Sequence, residues 1–261
     1  MDFPLVCRYS NFMNTTSLFP RKMRAAALAI SLFHTISIAS AADDGTVLCN
    51  GRDLDAWRNT GEWIVAKSVA LDATDGKTFV IAPGEGICVN GTKGRSVNLM
   101  SKEEFGDVEA HVEFCISKKS NSGVYLMGRY EVQIYDSFGV AKDAYPGIEC
   151  GGIYPRWDDK AQHEYEGHSP RVNASKPPGE WQSFDVIFRA PRFDASGQKT
   201  ENARFVKVVH NGQMVHENVE VTGPTRAAAF DDEKSAGPLL LQGDHGPVAY
   251  RNVRVKAVTL K

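Results

Sequence analysis

Several features that mark large functional classes are missing from this 261-residue chain. None of its five cysteines forms a CxxC pair, so neither a zinc ribbon nor a thioredoxin-like redox site is indicated. Neither sign of charge is in excess, with 30 Lys plus Arg against 32 Asp plus Glu; nothing in the balance steers the chain toward nucleic acid or an anionic membrane. From Thr46 onward there is almost no segment of helical period and no internal repeat, which speaks against a propeller. The one long apolar run, Ala25 to Ala41, is interrupted by Ser31, His34 and Ser37, and it has the length of a signal h-region rather than of a spanning helix.

That run follows Arg21, Lys22 and Arg24 and ends in Ala39-Ser40-Ala41, the small residues of a cleavage site. Residues 1–41 are therefore read as an N-terminal extension plus signal peptide, with Met23 the more conventional start, and residues 42–261 as one domain. The expected location is periplasmic or secreted, with no membrane attachment after cleavage. Cys49, Cys88, Cys115 and Cys150 then remain, and they permit up to two disulfides in three connectivities or buried free thiols.

What is present is a succession of short strands. The alternation predicts strands over Trp63 to Val69, Phe79 to Ile81, Val97 to Met100, Val108 to Ile116, Val124 to Met127 and Glu131 to Tyr135. Further strands are expected at Gln182 to Arg189, Arg204 to His210, Gln213 to Val219, Pro238 to Leu241 and Val253 to Leu260. Asp72 to Thr78, Ala82 to Gly86, Val89 to Gly94 and Ser117 to Gly123 read as turns, and Asn211-Gly212 as a tight hairpin turn. Gly139 to Gly179 is long, irregular and rich in aromatics, as expected of loops walling a site. Together these segments predict an all-β sandwich.

Within NSGVYLMGRYEVQIYDSFG (Asn121 to Gly139), strand alternation sends Val132 and Ile134 to one face and Glu131, Gln133 and Tyr135 to the other. A carboxylate, a carboxamide and a phenol together suit a polyhydroxylated ligand; an ordinary solvent face of an antiparallel sheet has the same pattern.

Five segments in order give the chain a wider likeness: Leu48 to Arg58 (LCNGRDLDAWR), Phe105 to Phe114 (FGDVEAHVEF), Asn121 to Gly139, Val208 to Thr225 (VVHNGQMVHENVEVTGPT) and Gly237 to Lys256 (GPLLLQGDHGPVAYRNVRVK). In this order the chain resembles the 3-keto-disaccharide hydrolase domain family from about Val47 to Lys261. The resemblance implies a concanavalin A-like jelly roll of two antiparallel sheets and a substrate whose sugar carries a ketone at carbon 3. The glucanases of that fold carry Glu-x-Asp-x-x-Glu, where this chain has Glu131, Gln133 and Asp136. Gln133 cannot titrate, so the nucleophile-plus-acid pair of a conventional glycoside hydrolase is in doubt.

A 3-keto group acidifies the hydrogen on carbon 2, so the glycosidic bond can leave by elimination and water can then add. For this chemistry Glu131 and His245 are the candidate base and acid, with Asp136 a further catalytic carboxylate. Arg129, on the same strand parity as Glu131, could depress that carboxylate or bind an enolate, and Gln133 could fix a hydroxyl. Asp244 or Asp136 could orient His245 or complete a divalent-cation site with Glu131; the spacing leaves the metal open. Asn121, Tyr125, Tyr154 and Trp157 complete the candidate sugar contacts, though aromatics in strands and loops are more often core. Arg251 could pair with Glu131 or lie on a solvated surface. Trp57, Trp63 and Trp181 read as structural, and His163, Glu164, Glu166 and His168 as a polar loop rather than a metal site. The partner expected is an oxidised disaccharide or glycoside. A noncatalytic glycan-binding module and a conventional glycoside hydrolase are the alternatives.

Overall fold

A computed structural model describes residues 45–141 and 147–261; the segment read as extension and signal peptide lies outside them. Sixteen strands are found among the described residues. They are β1 (Thr46–Cys49), β2 (Ile64–Leu71), β3 (Phe79–Val89), β4 (Leu99–Phe105), β5 (Val108–Ile116), β6 (Asn121–Leu126), β7 (Tyr130–Tyr135) and β8 (Arg156–Asp158). The rest are β9 (His163–Tyr165), β10 (Gln182–Arg189), β11 (Arg192–Phe193), β12 (Lys199–Glu201), β13 (Ala203–His210), β14 (Gln213–Val221), β15 (Gly237–Leu241) and β16 (Val248–Ala257). Eight form one antiparallel sheet in the order β14-β13-β10-β5-β16-β3-β2, with β1 also on β16. Four form a second sheet, β4-β15-β6-β7. The fold is the two-sheet antiparallel jelly-roll sandwich the sequence implied.

The core lies between the sheets because alternate residues of each strand are apolar and point there. Val112 and Phe114 of β5 and Phe184, Val186 and Phe188 of β10 meet Val132 and Ile134 of β7 and Leu239 and Leu241 of β15, all fully or nearly fully buried. The Phe188 ring joins the sheets, packing 5.2 Å from Tyr130 of β7 and 5.1 Å from Phe205 between ring centroids. Truncating such a residue to alanine costs about 3–5 kcal/mol. Cys49 and Cys88 form a disulfide that ties β1 to β3, while Cys115 and Cys150 are free and buried. A bridge closing a loop of this size is worth about 2–4 kcal/mol.

Several strands run farther than their alternation suggested. β3 continues through Ala82 to Gly86, read as a turn, because Gly84 and Gly86 adopt positive φ and let the strand bulge opposite Lys67 and rejoin β2 at Ile87. β6 begins at Asn121, inside the supposed turn Ser117 to Gly123. β16 begins at Val248 rather than Val253; Asn252, at φ 49°, bulges between Arg251 and Arg254 and hides the alternation. The Asn211-Gly212 turn has the two positive φ values, 50° and 79°, of a tight hairpin.

Candidate functional site

The outer face of the smaller sheet is assembled from β6, β7 and β15. Across β6 and β7, Tyr125 lies opposite Glu131, Gly123 opposite Gln133 and Asn121 opposite Tyr135, and on the far side Leu240 of β15 lies opposite Tyr125. Opposed residues share a face. The expected parity is therefore present, with Val132 and Ile134 in the core and Glu131 and Gln133 turned away from it.

This face is covered, not solvated. Glu131 is 2% exposed, Gln133 1% and Tyr125 2%. The irregular segment that follows β7 extends the sheet at that edge, drawn along the strand by backbone hydrogen bonds: Gly151 N–H to Gln133 O (2.8 Å), Gln133 N–H to Gly152 O (2.9 Å) and Tyr154 N–H to Glu131 O (3.0 Å). Polar side chains, one buried and one half-buried, hold it there. His216 donates from Nε2 to Gly151 O (2.7 Å), and Asn173 donates from Nδ2 to the carbonyls of Ser137 and Val140. Burial keeps His216 neutral by pushing its pKa down to about 4.

Burial decides the state of Glu131. It disfavours the charged form and, with the negative Asp244 nearby, pushes the carboxyl up to about 8 against the opposing hydrogen bond from the Tyr125 hydroxyl. The acid is therefore mostly protonated at neutral pH. Tyr125 is itself driven upward by burial and by Glu131, so it stays a phenol donor, and the half-buried Tyr154 moves in the same direction for the same reasons. Gly123 makes room for the carboxylate: a Cβ there would collide with Glu131 Oε1 and lie 2.8 Å from its Cδ. Gln133 accepts from Ile134 N–H through Oε1 (3.1 Å), while its buried Nε2 has no partner among the described residues. An unpaired donor inside a face of this kind is costly and is the natural contact for a ligand oxygen.

The loop Gly243-Asp244-His245-Gly246 overhangs the same face. His245 Nδ1 lies 2.6 Å from Asp244 Oδ1, and both side chains are about half exposed. An imidazole held at Nδ1 by a carboxylate has Nε2 free to take a proton. The loop is anchored by Asn90, fully buried just beyond β3, which donates to the carbonyls of Gly243 (2.9 Å) and Gly246 (2.7 Å) and accepts from Val248 N–H. Asn121 N–H bonds His245 O (3.1 Å) and Asn98 accepts from Gly243 N–H. Gly243 packs so closely on Trp63 that a Cβ would meet the indole at 2.9 Å. Asn90, Asn98 and Trp63 hold this half of the site; their only sequence signal was an apparent turn and an apolar tryptophan.

Other candidates lie elsewhere. Arg129 does not share the Glu131 face: Met127 and Gly128 turn at positive φ just before it, which breaks the strand parity, and its guanidinium is buried against the Asp232 carboxylate and carbonyl and over the Phe230 ring. It therefore does not depress Glu131. Arg251 pairs with Glu113 on the larger sheet (2.6 Å) and stacks on Trp181, not with Glu131. Asp136 is used locally, accepting from Lys119 N–H (2.8 Å) and so bracing the turn before β6. Trp157 has one ring face covered by Arg226, at 4.3 Å. Glu164 is paired with Arg226, and Glu166 accepts from Thr222. Among the described residues no three of His, Cys, Asp or Glu gather as a metal-ligand cluster, and Glu131 and Asp244 are the two carboxylates brought to this face.

Architecture and order of strands make the chain a two-sheet jelly roll of the concanavalin A-like lectin and glucanase type. More narrowly, it belongs to the 3-keto-alpha-glucoside-1,2-lyase-like domain family, whose pattern matches residues 44–256. Among solved structures it is similar to a proposed glycosyl hydrolase from Parabacteroides distasonis, at 27% identity and a TM-score of 0.59 over 82% of this chain and 84% of the other. A second proposed glycosyl hydrolase of the same organism has the same fold, at 18% identity and TM-score 0.52 over 84% and 95% of the two chains. Comparison with curated proteins found no match.

Proposed function

We propose that this protein is an exported enzyme that cleaves 3-keto glycosides by elimination and hydration. The observation that carries the reading is a buried, largely protonated Glu131 on the same face as the Asp244-His245 pair. His245 Nε2 takes the hydrogen from carbon 2, and its electrons pass into the ketone as an enolate. As the enolate collapses, the carbon 1 to oxygen bond breaks, a carbon 1–carbon 2 double bond forms, and Glu131 gives its proton to the departing oxygen. Water then adds across that double bond, completing net hydrolysis. Asp244 fixes the imidazole tautomer and steadies the imidazolium; its charge also helps keep Glu131 protonated. Gln133 Nε2 supplies a hydrogen bond to a substrate oxygen. Export is supported by the Ala25 to Ala41 signal pattern and by the Cys49–Cys88 disulfide, which persists in oxidising compartments.

The test is incubation of residues 42–261 with a 3-keto disaccharide and with its unoxidised parent, in D2O and followed by NMR. Cleavage of the keto form with deuterium entering carbon 2, and an inert parent, are expected; no turnover of either contradicts the reading. The Nε2 of Gln133, unpartnered among the described residues and a donor suited to a sugar oxygen with or without chemistry, favours one second reading, a noncatalytic glycan-binding module. In that case ligand binds, Glu131→Gln weakens it modestly and no product forms.

A further inference from the structure

The outer face of the larger sheet carries a second concavity. A cavity of about 520 Å³ crosses β13, β10, β5 and β16, and another of about 480 Å³ continues it beside β1; Arg254 lines both. With strands about 4.8 Å apart, four steps from β13 to β1 make a trough about 19 Å long. Four cations line it: Lys207, Lys256, Arg254 and Arg52. Among the described residues none of these side chains has an ion pair or hydrogen bond. Its two carboxylates are Glu109, which faces Lys256 across the strand pair, and Asp185, which is engaged by His111 Nδ1 at 2.6 Å. Four cations against two carboxylates make this a positive strip on a chain whose formal net charge is −2.

Unpaired cations in one groove call for an anionic partner. No Phe, Tyr or Trp ring lines either cavity, and the one imidazole, His111, is held by Asp185, so the trough lacks the large stacking platforms that single-stranded nucleic acid uses. Glu109 and Asp185 would repel a dense run of phosphates but can accept hydroxyl hydrogens, and the central Arg254 fork matches a carboxylate. We propose that this trough binds an acidic oligosaccharide, a chain of uronate sugars whose carboxylates meet Lys207, Arg254, Lys256 and Arg52. It is a site separate from the Glu131 face and does not depend on the reaction proposed there.

Calorimetric titration of residues 42–261 with a hexauronate, a neutral glucan hexamer and a single-stranded hexanucleotide tests it. The hexauronate is expected to bind alone, to weaken several-fold when salt is raised to about 0.5 M, and to weaken at least about tenfold in the Lys207→Glu/Arg254→Glu variant. That variant should keep the parent melting temperature, and Glu131→Gln should keep hexauronate binding. No binding, equal binding of the glucan or the hexanucleotide, unchanged affinity in the charge-reversed variant, or loss of binding in Glu131→Gln would each overturn the proposal.

Discussion

Glu131 and Glu113 stand at equivalent kinds of position, each on the outward side of a strand in a two-sheet sandwich, yet the molecule drives them in opposite directions. Glu113 lies on the larger sheet, where burial alone would raise it, but hydrogen bonds from Asn252 and Arg251 together with the Arg251 charge outweigh that and hold it below the usual carboxylate range. Glu131 lies on the smaller sheet under the loop cover, has no cation beside it among the described residues, and is pushed up to about 8. The difference teaches that alternation places a carboxylate on a face, and only the cover and the neighbouring charges decide whether it is an ion or an acid.

The largest effect expected from this contrast is on turnover. Glu131→Gln should lower kcat for the keto substrate by about 10²–10⁴-fold while the melting temperature holds or rises, because an amide replaces a buried acid; Glu113→Gln should leave kcat within a few-fold. Comparable losses in both variants, measured by NMR with thermal melts alongside, would erase the distinction between the two faces. Next comes Arg129→Ala, which removes a buried side chain and its bonds to Asp232 and should cost about 2–4 kcal/mol in urea unfolding with turnover per folded molecule unchanged. A Glu131 role for Arg129 would instead appear as a changed alkaline limb of the rate profile. Asp244→Asn, which leaves the imidazole without its carboxylate, should lower kcat about tenfold and move that alkaline limb toward lower pH.

A smaller effect concerns stability against pH. His210 and His216 are held neutral, pushed down by burial to about 3 and about 4 from 6.5. The unfolded chain takes up those protons first, so their contribution is present above about 6.5 and is lost as pH falls toward 4. Glu131 has the opposite sign: its raised value contributes stability at pH below 4.5 that is lost as pH rises through about 8. Glu131→Gln should therefore flatten the fall in melting temperature between about pH 4.5 and pH 8 and leave the profile below about 4.5 as it was.

The strand from Val108 to Ile116 was fully legible, since strict alternation leaves a single orientation. The pairing of Glu131 with Tyr125 needed the β6–β7 register, which no single strand contains. Arg129 was misplaced because parity was extended across a turn whose positive φ at Met127 and Gly128 no side-chain pattern reports. Asp136 was drawn toward Glu131 by its place in the glucanase pattern and Arg251 by charge, whereas the fold gives each a nearer partner in Lys119 N–H and Glu113. Asp244 and His245 were recognisable in the Gly-Asp-His-Gly-Pro segment, but Asn90, which holds their loop from about 150 residues away in sequence, was not, because such contacts exist only after the sheets close.

The most direct measurement is the titration of the Glu131 carboxyl itself, by infrared difference spectroscopy of the protein against Glu131→Gln. A protonated carbonyl stretch that persists through neutral pH and disappears with a midpoint near 8 is the result expected; a group already ionised above about pH 5 would contradict the account.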